Sequence, residues 1–80
     1  MTRDKIHQEK RRQIGLKIAY YRKLRGLTQE ELAERIGVTT AFIGHVEATN
    51  VNKSISLKTL FLVAEELDVP EYKFLMFNDE

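Results

Sequence analysis

Eighty residues make at most one domain, and a chain this short buries a modest share of its surface, so association that hides more apolar surface is expected. It has no cysteine, which excludes a disulfide framework and a thiolate metal site, and it has no apolar run near the ~20 residues that span a bilayer. The net charge of +1 hides an asymmetry: residues 1–25 carry nine basic and two acidic side chains (+7), whereas residues 26–80 carry four basic and ten acidic ones (−6).

A basic segment on an otherwise acidic body suits a polyanion as well as it suits a solvated helix face. The stretch Met1–Arg12 is charged and lacks the apolar core of a signal peptide, so a cytoplasmic location is the expectation. Apolar residues recur at helical spacing throughout, and no strict alternation suggests a strand.

The first helix is expected over roughly Gln8–Leu24, with Ile14, Ile18, Tyr21 and Leu24 as its core stripe and Gly26 beyond its end. The second opens at Thr28-Gln29-Glu30-Glu31, a capping box in which the Thr28 hydroxyl and the Glu31 carboxylate exchange hydrogen bonds with each other's amides. Leu32, Ala33 and Ile36 face inward, and Gly37 stops this helix. The third starts after Thr39 as N-cap, buries Phe42, Ile43 and Val46, and ends near Glu47 or Ala48. Thr49–Ile55 reads as a polar loop. The fourth begins after Ser56, with Leu57, Leu60, Val63, Ala64 and Leu67 on its buried face. Pro70 then fits the first turn of a short fifth helix, Glu71 to about Phe77, which is unusually apolar.

The informative stretch is Gln29–Ala48, two short helices joined by a glycine turn. Ala33 is small where the helices cross. Gly37 supplies a positive φ that costs other residues roughly 1–2 kcal/mol. Apolar residues at Leu32, Ile36, Val38, Ile43 and Val46 face a core, while the rest of the third helix is polar or small. That is the pattern of a helix-turn-helix.

Three segments carry a wider resemblance: I-G-x-x-I-x-x-x-R-K from Ile14, G-L-T-Q-E-E-L-A-E-R-I-G-V-T from Gly26, and L-x-x-L-x-x-V-A-E-E-L from Leu57. Together they resemble the phage-repressor, Cro/CI-like helix-turn-helix family over about Ile14–Val69. The resemblance implies an all-α, compact five-helix bundle of the lambda-repressor kind. Its third helix would lie in the DNA major groove and its second across the backbone. The expected division is a basic N-terminal arm or helix start at 1–12, a helix-turn-helix domain at 13–69 with its motif at 29–48, and a C-terminal dimerisation helix at 70–80.

The resemblance also implies roles. Thr40, Ala41, Gly44 and His45 stand where the family reads bases. Gln29 and Thr39 stand where it holds phosphates. The loop residues Asn50, Asn52 and Lys53 are further phosphate candidates. Arg22 and Glu47 match a structural salt bridge. The third helix offers no Arg, Lys, Asn or Gln between Thr39 and Glu47, so bidentate base pairs with the helix itself are missing. Specificity would then lean on DNA shape and on neighbouring segments.

Tyr72, Phe74, Leu75, Met76 and Phe77 cannot all enter one small core, so they are read as a dimer interface shared with the outer face of the fourth helix. A two-fold dimer would present two third helices ~34–36 Å apart and predicts a palindromic operator. The reading is a homodimeric, sequence-specific regulator of transcription binding double-stranded DNA, with RNA polymerase as a protein partner to consider. Length and the apolar C-terminus resemble the controller proteins of restriction–modification operons. A phage or plasmid repressor, an antitoxin, or a protein-interaction adaptor of the same fold stays open. No nucleophile–base pair, carboxylate pair or phosphate-binding glycine loop suggests an enzyme. No metal or other cofactor is expected, His45 having no partner at ligand spacing.

Overall fold

The computed structural model describes residues 2–51 and 53–77. It contains four α-helices, α1 (Arg3–Leu24), α2 (Gln29–Ile36), α3 (Thr40–Glu47) and α4 (Leu57–Leu67), followed by a 3-10 turn at Glu71–Leu75. The described residues include no strand. Where a fifth α-helix was expected, the chain makes a single tight turn. Lys73 N donates to the Pro70 carbonyl at 3.1 Å, and the backbone is extended again by Met76. Five residues behind a proline are too few for an α-helix to nucleate, and short pieces of this length favour the tighter i→i+3 bond.

The helix α1 starts five residues before the expected Gln8. Thr2 caps it by accepting from Lys5 N at 3.3 Å, and Asp4 lies in the first turn, where the helix dipole favours an anion. Glu9 and Arg12 form a bidentate pair one turn apart, at 2.9 and 2.8 Å, and Gln13 also donates to Glu9 at 3.1 Å. These donors hold the Glu9 carboxyl down at about 2. None of the described residues before Gly15 is buried, so local interactions rather than packing carry these turns. At ~1.5 Å per residue, α1 runs ~33 Å, most of the 37 Å long axis of the molecule.

The other helix starts follow from local chemistry. Thr28, Thr39 and Ser56 each accept from the backbone N–H three residues on, at 3.0, 3.0 and 3.1 Å. Thr28 N also donates to Glu31 Oε1 at 2.8 Å, completing the capping box and lowering the Glu31 pKa from its ordinary value. Gly37 ends α2 in the left-handed region at φ 77°, and Val38 N closes onto the Ala33 carbonyl at 3.0 Å.

The core is built from Ile18 of α1, Leu32 and Ala33 of α2, Ile43 and Val46 of α3, Leu60, Val63, Ala64 and Leu67 of α4, with Val69 and Phe74. Ile14, Tyr21, Ile36, Val38 and Phe42 pack against it half-buried, and two expected core residues are exposed. Leu24 is 59 % exposed. It falls about 120° round the helix from Ile18, and the C-cap residue Arg25, itself exposed, is what reaches across to α4. The Arg25 guanidinium donates to the Leu67 and Asp68 carbonyls at 2.6 and 3.1 Å, satisfying the C-terminal end of α4 with a cation. Leu57 is 65 % exposed. With Phe61, one turn on, it forms a strip about 60–100° round α4 from Leu60.

Candidate nucleic-acid interface

The left-handed Gly37 turns the chain sharply enough for α3 to pack back across α2 on the small side chain of Ala33. Ile43 and Val46 are buried, and Phe42 is half-buried. The opposite face of α3 is formed by Thr40, Ala41, Gly44 and His45. Gly44 is half-buried and the other three are exposed. The four base-reading candidates therefore share one outward face, as residues spaced i, i+1, i+4 and i+5 on a helix must.

The far end of α3 is fixed from behind. Arg22 donates to Glu47 through Nε at 2.7 Å and Nη2 at 2.9 Å, and its Nη1 donates to the Leu27 carbonyl at 2.7 Å. The two side chains are only 8 % and 5 % exposed. The Glu47 hydrogen bonds raise the Arg22 pKa further above its ordinary value, against the opposing effect of burial. Gly15 lets α1 come within backbone contact of α3, since a side chain there would collide with the Val46 carbonyl oxygen.

Gln29, the first residue of α2, belongs to the same network. Its Nε2 donates to Glu47 Oε1 at 2.9 Å, which leaves one N–H and Oε1 unused by this bond. Glu47 thus ties the buried Arg22 to a side chain beside the outward face of α3. Sequence reading gave Glu47 only its pairing with Arg22. The bond to Gln29 spans 18 residues, and no local pattern signals it.

The remaining phosphate candidates flank α3. Thr39 is exposed at its start and uses its hydroxyl to cap the helix. Asn50 is exposed in the loop after α3. Lys53 lies over the Phe42 ring, with Nζ 5.5 Å from the centroid, which holds this part of the loop against α3. Asn52 lies outside the described residues. The same loop and the first turns of α1 enclose an open cleft of about 590 Å³ lined by Lys5, Gln8, Glu9, Arg12, Thr49, Asn50 and Val51. Because Arg12 is neutralised by Glu9, the cleft owes its net positive charge to Lys5.

The five interface candidates near the C-terminus separate. Phe74 is fully buried, with its ring 5.4 Å from that of Tyr21 in an edge contact. It is therefore a core residue and unavailable to a partner, because the 3-10 turn directs it inward against α1. Tyr72, Leu75 and Met76 are exposed. Phe77 is half-buried on α1, where Lys10 and Lys17 approach its ring at 5.5 and 5.2 Å. Lys17 Nζ is buried there without a hydrogen-bond partner, and the ring face is its compensation. Among the described residues, no cluster of His, Cys, Asp and Glu is suited to a metal ion. No described helix is long and apolar enough to cross a membrane.

The Helix-turn-helix family model matches residues 18–74. The HTH-type transcriptional regulator SinR of Bacillus licheniformis is 36% identical over 67 residues, covering 84% of this chain. The chain spans 60% of the length of that curated relative. Among solved structures, the master regulator for biofilm formation SinR in complex with DNA superposes with a TM-score of 0.72 at 35% identity, over 79% of this chain and 98% of that one. A hypothetical transcription factor, NHTF from Neisseria, superposes with a TM-score of 0.78 at 26% identity, over 90% of this chain and 79% of that one.

Proposed function

The chain belongs to the helix-turn-helix family, and from that premise we propose that it is a sequence-specific, double-stranded-DNA-binding regulator of transcription that acts as a homodimer on a palindromic operator. The observation that carries the reading is the outward face of α3. It presents Thr40, Ala41, Gly44 and His45 together, and its far end is fixed by the buried Arg22–Glu47 pair. Thymine methyls suit Thr40 and Ala41, and His45 suits a guanine acceptor. Thr39, Asn50 and Lys53 supply contacts to the flanking backbone, with Gln29 beside them at the start of α2.

Exposed Tyr72, Leu75 and Met76 support self-association through the C-terminal segment, together with Leu57 and Phe61 on the outer face of α4. A two-fold axis there would set two α3 helices about one DNA turn, ~34–36 Å, apart. The relative bound to DNA supports duplex DNA as the ligand. The controller of a restriction–modification operon is the regulatory setting we favour, for the exposed apolar side chains of the segment that follows α4.

The test is selection of duplexes from a random-sequence pool, followed by binding measured against salt. Recovery of a palindrome whose affinity falls steeply as salt rises supports the reading. Failure to bind any duplex at low salt overturns it. The absence of Arg, Lys, Asn and Gln from α3 favours one second reading, an adaptor that binds protein. Replacing Gln29 and His45 by Ala separates the two, because an adaptor keeps its partner and its function.

A further inference from the structure

The protein has four glycines, and three are explained within the fold. Gly26 and Gly37 have φ of 74° and 77°, which other residues rarely adopt. Gly15 is required by the close approach of α1 to the Val46 carbonyl. Gly44 has neither reason. Its φ is not positive, and a side-chain carbon there would stand 3.6 Å from Gln29 Oε1, an ordinary contact with the end of a flexible side chain. Glycine inside a helix is less stable than alanine. The fold therefore bears a cost at the centre of α3 that nothing within the protomer requires.

What lies over Gly44 is the carboxamide of Gln29. Glu47 is a carboxylate paired with Arg22, so it only accepts hydrogen bonds and the nitrogen of Gln29 must face it. That fixes which way round the carboxamide sits, with its oxygen on the Gly44 side. One N–H and the oxygen remain for a ligand. This donor and acceptor pair complements the N7 acceptor and N6 amino donor of adenine in the major groove. A phosphate, which only accepts, would use the N–H alone.

We propose that Gln29 is a base-reading residue: held in orientation by Glu47 and lying beside Gly44 of α3, it presents its carboxamide to an adenine edge and supplies the long polar reader that α3 lacks. The proposal rests on the reading of α3 as the groove-facing helix. It assigns Gln29 to specificity, in place of the phosphate contact that the resemblance implied. A methyl group at position 44 would stand 3.6 Å from Gln29 Oε1 and narrow the approach of a base to the carboxamide.

The test uses the duplex that the wild-type chain binds most tightly from a random pool, with each adenine replaced in turn by 7-deazaadenine, which lacks the N7 acceptor. The wild-type chain is expected to lose about tenfold in affinity at one adenine per half-site. Gln29→Ala should bind the natural duplex about as weakly as the wild-type chain binds that modified one, and should be indifferent to the modification. Gly44→Ala should melt several degrees higher and yet bind the natural duplex several-fold more weakly.

A uniform loss by Gln29→Ala on all duplexes, with no adenine position becoming silent, means a backbone contact and overturns the proposal. Unchanged affinity in Gly44→Ala overturns the role given to the missing side chain. A wild-type chain that binds no duplex takes the reading of α3 down as well, and this differs visibly from tight binding that is blind to adenine N7.

Discussion

Replacing Glu47 by Ala tests the network behind α3 most directly. The substitution leaves the Arg22 guanidinium, only 8 % exposed, with the Leu27 carbonyl as its one remaining hydrogen-bond partner among the described residues. A buried charge stripped of its counter-charge costs about 3–5 kcal/mol, and at this burial solvent screens little of it. A chain of 80 residues has about 4–12 kcal/mol of stability in all. The variant should therefore lose a large share of it, and its melting midpoint should fall by at least about 12 °C. Thermal and urea denaturation followed by far-ultraviolet circular dichroism measures both. The companion is the double variant Arg22→Met with Glu47→Leu, which replaces the pair by apolar side chains of similar size. It should recover most of the loss, because no charge is left buried. A cost for Glu47→Ala below about 1 kcal/mol, the level of an exposed ion pair, refutes the argument. So does a double variant as unstable as the sum of the two singles.

The C-terminal segment should divide between fold and association. Phe74→Ala should cost about 3–5 kcal/mol, whereas Met76→Ser should leave the melting midpoint within a few degrees and shift sedimentation towards a monomer at low concentration. Gly15→Ala should destabilise by about 1–3 kcal/mol, because the atoms it meets are backbone of α3 and cannot rotate away; a melt unchanged from the wild-type chain would show that α1 and α3 can separate freely. The capping box should titrate. The Thr28 N–H holds the Glu31 pKa below its ordinary 4.5, so the folded state binds fewer protons there than the unfolded chain. Its contribution is thus complete above about pH 4.5 and is lost as pH falls through the lower folded value. An amide-shift titration of Thr28 with a midpoint at or above 4.5 would contradict the hydrogen bond. Glu9, held at about 2, should stay ionised to still lower pH, and Arg12→Gln should raise its midpoint.

Much of the architecture was legible because its determinants are local. Thr28, Thr39 and Ser56 cap helices through bonds that reach three residues, and Gly37 ends α2 through its own φ. Such interactions depend on neighbours in the chain, so the sequence determined where α2, α3 and α4 begin and which face of α3 is polar. Thr2 was an equally local cap, but its helix lacks apolar periodicity before Ile14, and the early start of α1 was missed for that reason.

Tertiary structure decided what depends on distant partners. Leu24, Leu57 and Phe74 are all apolar, and only the packing of α1, α4 and the final turn determines that Phe74 alone is buried. It also turned the expected fifth helix into a 3-10 turn, and placed Arg25 on the end of α4, 42 residues away. The bond from Gln29 to Glu47 belongs to the same class. Composition and spacing identify the helix that faces outward, but only the crossing of α2 over α3 brings a carboxamide from one helix onto the glycine of the other.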